Sequence, residues 1–133
     1  MDSSLQRSRR RAHVSAGNLA GHTVLVMEDE AIIALDLETA LVQAGASVAR
    51  ATSANAMQIA AQSPLSAAVL DLQPASSGHR ALARLLKQKG VPFLFYSTHG
   101  PEDVTTMRGA PVIFKPARSE EIVSALALLI GGA

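Results

Sequence analysis

The strongest constraint in this sequence is a set of short apolar runs that do not alternate with polar residues. Thr23–Met27 (TVLVM), Ala67–Leu72 (AAVLDL) and Val91–Ser97 (VPFLFYS) each have the length of a strand. A strand with one wet face alternates apolar and polar residues, whereas a strand covered on both faces does not. Between these runs the spacing becomes helical. Glu30–Ala44 carries polar Asp36, Thr39 and Gln43 and stops at Gly45. Ser47–Ala51 reads as a second, weaker strand, and Ser53 as the cap of a helix reaching Gln62, just before Pro64. Gly78–Gln88 reads as a helix closed by Lys87, Lys89 and Gly90. Pro92 is tolerable near the start of the fourth strand. Pro101–Arg108 reads as a short helix and Pro111–Phe114 as a very short fifth strand. Ser119 reads as the cap of a last helix, with Glu120 and Glu121 at its positive end. Five strands alternating with helices predict an α/β fold, a parallel, doubly wound sheet covered on both faces.

Composition removes several alternatives. The chain of 133 residues has the length of one domain and needs no staples to bury a core. With no cysteine, a disulfide scaffold, a zinc–thiolate site and a cysteine nucleophile are excluded. One tyrosine and no tryptophan argue against a stacking platform for single-stranded nucleic acid. No apolar run approaches the roughly 20 residues that span a bilayer. The net charge of +1 conceals an asymmetry. Residues 1–20 hold Arg7, Arg9, Arg10 and Arg11 against Asp2 alone, a charge of +3, while eight bases and ten acids leave −2 on the rest. Residues 1–21 therefore read as a disordered basic arm and 22–133 as the folded body, with no second domain expected. The arm has no apolar segment of the secretory type, and four arginines make a small footprint for phosphates.

Ligands of open parallel α/β sheets bind beyond the carboxyl ends of the strands. There, strand one runs into Glu28-Asp29-Glu30, strand three ends in Asp71, strand four in Ser97-Thr98, and strand five runs into Lys115-Pro116. Carboxylates gathered this closely repel, and at least one pKa rises unless a cation intervenes. Mg²⁺ takes oxygen ligands and keeps several waters, so one or two carboxylates suffice to hold it. A cation, a lysine and a hydroxyl together suit a transferring phosphoryl group. Each residue also has a plainer use: Glu30 at a helix N-terminus, Asp71 in a turn, Lys-Pro in a loop. Their convergence on one rim favours a site.

Residues 23–130 resemble the receiver (CheY-like) domain of bacterial two-component response regulators. VLVMEDE (24–30), AAVLDL (67–72), PFLFYST (92–98) and VIFKP (112–116) carry the resemblance. It implies a flavodoxin-like sheet of order 2-1-3-4-5 in a stand-alone, cytoplasmic bacterial signalling protein. Such a protein modifies itself and slowly reverses the modification rather than turning over a substrate. By position, Asp71 is implied to be the phospho-acceptor and Asp29 a direct ligand of Mg²⁺, or of Mn²⁺ in its place. Glu28 would act on the metal through water and Gln73 through its backbone carbonyl. Lys115 would pair with a phosphoryl oxygen, Ser97 would be the switch hydroxyl, and Thr98 would lend its backbone N–H. The bond before Pro116 is implied to be cis, which proline permits at low cost. The implied partners are a sensor histidine kinase or histidine phosphotransfer protein and a downstream protein target, with a homodimer also open. Neither a membrane nor a nucleic acid is expected as a partner.

The sequence departs from the family pattern in three places. The loop from Asp71 to Pro74 is one residue short. The position three before the lysine, often aromatic, is Val112, which leaves Tyr96 or Phe114 as a replacement readout, although their apolar strand context assigns both to the core. Ser97 and Lys115 are eighteen residues apart, which predicts a shortened fourth helix. The alternative is a pseudo-receiver that binds partners without phosphorylation. An aspartyl-nucleophile phosphatase ranks lower, because Gln73 stands where its second acid belongs. A dinucleotide-binding domain fails for want of G-x-G-x-x-G after strand one. His99, beside the site, is a lesser candidate for controlling water attack. His13, His22 and His79 lack metal-ligand spacing, and Ser76, Ser77, Thr105 and Thr106 read as loop and cap hydroxyls.

Overall fold

The computed structural model describes residues 18–71, 78–97 and 110–131. Its elements are β1 (Thr23–Met27), α1 (Ala31–Gln43), β2 (Ser47–Ala51), α2 (Ala56–Gln62), β3 (Ala67–Asp71), α3 (Gly78–Gln88), β4 (Phe93–Ser97), β5 (Val112–Phe114) and α4 (Ser119–Gly131). The five strands form one parallel sheet in the order β2-β1-β3-β4-β5. This is the doubly wound, flavodoxin-like architecture. The helix expected over 101–108, and with it the shortened fourth helix, lies outside the described residues.

The missing alternation now has its cause. Successive strand residues face opposite sides of the sheet, and each side has its own core. Val24, Val26, Val69 and Leu94 pack with Leu37 and Leu41 of α1 and Ile122 and Leu126 of α4. Leu25, Leu70, Phe93 and Phe95 pack on the other side with Ala60 of α2 and Leu82 and Leu86 of α3. Gly45 and Gly90 stop their helices as expected. At φ of +97° and +71° they occupy a region closed to most side chains. Around Gly45 the chain closes α1 with Gly45 N–H to Val42 O and Ala46 N–H to Leu41 O, a paired bonding that satisfies the last carbonyls. Gly90 and Val91 repeat it on Lys87 and Leu86.

Four sequence expectations are corrected. Ser53 does not cap α2: that helix starts at Ala56 after Asn55, and Ser53 is bonded elsewhere. Ser119 is the first residue of α4, and its hydroxyl donates to Asp36 Oδ2 at 2.6 Å. The backbone N–H of Arg118 instead finds Glu121 Oε1 at 2.9 Å, so the acid three residues on secures the helix start. Leu19, counted with the arm, is fully buried, and its N–H donates to Ala44 O at 2.9 Å, so the folded body begins before Gly21. Phe114 is 46% exposed, since short β5 lies at the sheet edge, and so is not a core residue. Tyr96 is buried, as its strand context implied.

Candidate functional site

The parallel sheet brings the ends of β1, β3, β4 and β5 to one edge. Two backbone bonds extend the ladder past the strands. Glu28 N–H donates to Ala51 O at 3.1 Å, and Lys115 N–H donates to Ser97 O at 2.8 Å. Both side chains therefore leave from fixed backbone. Met27 and Leu70 face one core, so Glu28 and Asp71, each the next residue, turn to the other face. There they meet Lys115, whose Nζ lies 3.0 Å from Glu28 Oε1 and 3.2 Å from Asp71 Oδ1. The three side chains are almost enclosed, with 9% of Lys115, 2% of Glu28 and 8% of Asp71 exposed. Ser97, also fully buried, ends β4 beside them. The Lys115–Pro116 peptide bond is cis.

Burial pushes the Glu28 carboxyl above its ordinary 4.5. Bonds from Glu30 N–H and Lys115 oppose this rise, and the charge of Asp71 adds to it. Burial pulls the Lys115 ammonium down, but its bond to Glu28 and the charge of Asp71 overcome that and leave it above 10.5. Lysine thus supplies the cation that a carboxylate cluster requires.

Asp29 does not join this group. Its Oδ1 accepts from Ser53 N–H at 2.8 Å and its Oδ2 from the Ser53 hydroxyl at 2.9 Å. Among the described residues no group of three or more His, Asp or Glu side chains is gathered in a way that could hold a metal. The donor chemistry nonetheless fits a hard divalent cation. Two carboxylates already converge on one positive charge, and a third lies next to Glu28 in the chain. Gln73 and Thr98 lie outside the described residues, as do His13, His99, Ser76, Ser77, Thr105, Thr106 and the side chain of His79. His22 Nδ1 is bonded to Ser66 Oγ at 3.0 Å, on the segment preceding β3. Two contacts escaped the sequence reading: the Ser53 clasp on Asp29, and a hydrogen-bonded pairing of the Tyr96 hydroxyl with Ala117.

No protein-family model and no curated protein matches the sequence. Solved structures do match. A response regulator receiver protein from Sinorhizobium medicae aligns with a TM-score of 0.71 over 83% of this chain and 94% of its own, at 24% identity. This chain has the fold of a response regulator receiver domain. The receiver domain of the response regulator PhyR from Erythrobacter litoralis aligns with a TM-score of 0.72 at 24% identity, over 86% of this chain and 94% of that one. A mutant of the anti-anti-sigma factor PhyR from Bartonella quintana aligns with a TM-score of 0.74 at 20% identity. That match takes in 99% of this receiver-fold chain but only 57% of PhyR, so just over half of that protein has a counterpart here. Among the described residues, no helix of the receiver fold is long and apolar enough to cross a membrane.

Proposed function

We propose that this receiver-fold chain accepts a phosphoryl group on Asp71 from a phosphohistidine of a histidine kinase or phosphotransfer protein, and passes the signal to a partner protein. The observation that carries this reading is the Lys115 ammonium shared between Asp71 and Glu28 at the carboxyl edge of the sheet. A carboxylate oxygen of Asp71 forms the new O–P bond in line as the P–N bond breaks, and the imidazole nitrogen takes the electron pair. Asp71 attacks as a carboxylate, and the Lys115 ammonium stands 3.2 Å from its Oδ1. Lys115 then pairs with a phosphoryl oxygen. Glu28 and Asp71, with Asp29 once it leaves Ser53, would hold Mg²⁺, which supplies further charge neutralisation at the phosphoryl oxygens.

The expected result is that acetyl phosphate with Mg²⁺ adds one phosphoryl mass to the chain, and that Asp71→Ala abolishes the gain. Labelling that persists in Asp71→Ala would sink the assignment. A chain that takes no label supports the second reading, a protein-interaction module independent of phosphorylation. The likeness to an anti-anti-sigma factor favours that reading.

The Asp29–Ser53 clasp leads to a separate prediction. Ser53→Ala removes one of the two bonds that hold the Asp29 carboxylate away from Glu28 and Asp71. Mg²⁺ affinity is expected to rise roughly 2- to 10-fold, the equivalent of about one hydrogen bond. A Mg²⁺ titration followed by tyrosine emission measures it, and unchanged or weaker binding means that Ser53 does not restrain the ligand.

A further inference from the structure

Tyr96 belongs to two places at once. On one side it is the register partner of Asp71 in the β3–β4 ladder, and Lys115 Nζ stands 5.2 Å from its ring centroid. On the other, its hydroxyl grips the backbone of Ala117, donating to the carbonyl oxygen at 3.2 Å and accepting from the N–H at 3.3 Å. Ala117 leads into α4, whose first residue, Ser119, donates to Asp36 of α1. Tyr96, Asp36 and Ser119 together line an open cavity of about 380 Å³ whose other walls come from α1, with Ile32 and Leu35 among them.

We propose that Tyr96 is a positioning residue that transmits the charge state of the Asp71–Lys115 pair to the seam between α1 and α4. The inference rests on the phospho-acceptor reading for its trigger, but the contacts exist without it. The Lys115 backbone is tied to Ser97 O, so a new anion on Asp71 moves the lysine chiefly through its side chain. An ammonium is attracted to the face of an aromatic ring, so its displacement is felt by Tyr96. The ring is buried, and what restrains it is the pair of hydroxyl bonds to the Ala117 backbone. Its hydroxyl holds both polar groups of the Ala117 backbone, so a shift of the ring is passed to the start of α4 and to the Ser119–Asp36 bond. Val112, where an aromatic residue would offer a different route, cannot make such a hydrogen-bonded link.

Backbone amide NMR with beryllofluoride and Mg²⁺ as the phosphoryl mimic tests this. In the unaltered chain, the amides of Asp71, Lys115, Ala117, Ser119 and Asp36 should shift together. In Tyr96→Phe, which keeps the ring and loses the hydroxyl, the shifts at Asp71 and Lys115 should persist while those at Ser119 and Asp36 are lost. Equal shifts in both chains overturn the proposal. Lys115→Met needs no phosphoryl mimic: it should move the Ser119 and Asp36 amides in the Tyr96 chain and leave them in place in the Tyr96→Phe background. If beryllofluoride moves nothing at Asp71, the acceptor reading has failed, and the Lys115→Met comparison alone decides the coupling. Because the chain holds one tyrosine and no tryptophan, its emission reports Tyr96 without any substitution. Emission that stays constant while the Asp71 amide shifts also overturns the proposal.

Discussion

Lys115→Ala is expected to destabilise the metal-free chain by about 3–5 kcal/mol at pH 7.5, the usual effect of removing one partner from a buried ion group. Glu28 and Asp71 stay where the sheet ends put them, and the cation between them is gone. The loss has a pH signature. The Glu28 carboxyl already sits above its ordinary 4.5 in the folded chain, chiefly through burial. A group raised in this way contributes stability that is fully present below pH 4.5 and lost as pH rises through its folded value. Removing the lysine takes away influences that lower it, so the carboxyl rises further and the variant gains more than the unaltered chain on acidification. The deficit should therefore be smaller at pH 5 than at pH 7.5. In the unaltered chain Lys115, raised above 10.5, contributes fully below that pH, and its contribution is lost as pH climbs through the folded value. Urea unfolding in chelator at the two pH values measures the effect, and a deficit independent of pH would mean the carboxylates are not its source. Adding Mg²⁺ should restore part of the loss, since a ligand that binds only the folded chain stabilises it by mass action.

The features legible in the sequence are those set by local physics. β1, β3 and β4 are recognisable because burial on both faces removes polar residues from a short run, and their burial is nearly complete. Gly45 and Gly90 are recognisable because the helix ends there require positive φ. What could not be read depends on partners far along the chain. The Ser53 and Ser119 hydroxyls look like caps, but carboxylates 24 and 83 residues away, on Asp29 and Asp36, take them. Helix α1 is apolar around most of its circumference, so its spacing does not reveal that Ala34, Leu37 and Leu41 face the core while Ile32, Leu35 and Val42 face outward. The same limit applies at the site. Glu28 and Asp29 read as a pair, yet neighbours leaving a strand end diverge. The structure sends one to Lys115 and the other to Ser53. The role of Tyr96 in the core followed from its strand, whereas its grip on Ala117, 21 residues on, did not.

Phe95→Ala is expected to remove about 3–5 kcal/mol, the range for truncating a buried aromatic to alanine. Against a total of roughly 5–15 kcal/mol for a typical domain, that is a large share. Phe95 is fully buried and meets Phe93 edge to face at a centroid distance of 5.6 Å. Its register partners are Leu70 in β3 and Val112 in β5, so it lies at the centre of the strands that carry Asp71, Ser97 and Lys115. It faces the core of α2 and α3, whereas Tyr96, one residue on, faces that of α1 and α4. The two neighbours should therefore separate fold from signalling. Phe95→Ala should lower the urea midpoint with little change in the slope of the transition, and Asp71 labelling should fall only as far as the folded fraction falls. Tyr96→Phe should lower the midpoint less, by the loss of the hydroxyl bonds to Ala117, about 1 kcal/mol, while decoupling α1 and α4 from the site. If Phe95→Ala lowers stability by less than about 1 kcal/mol, the cavity it leaves has collapsed and the sheet is softer beneath the site than its packing implies.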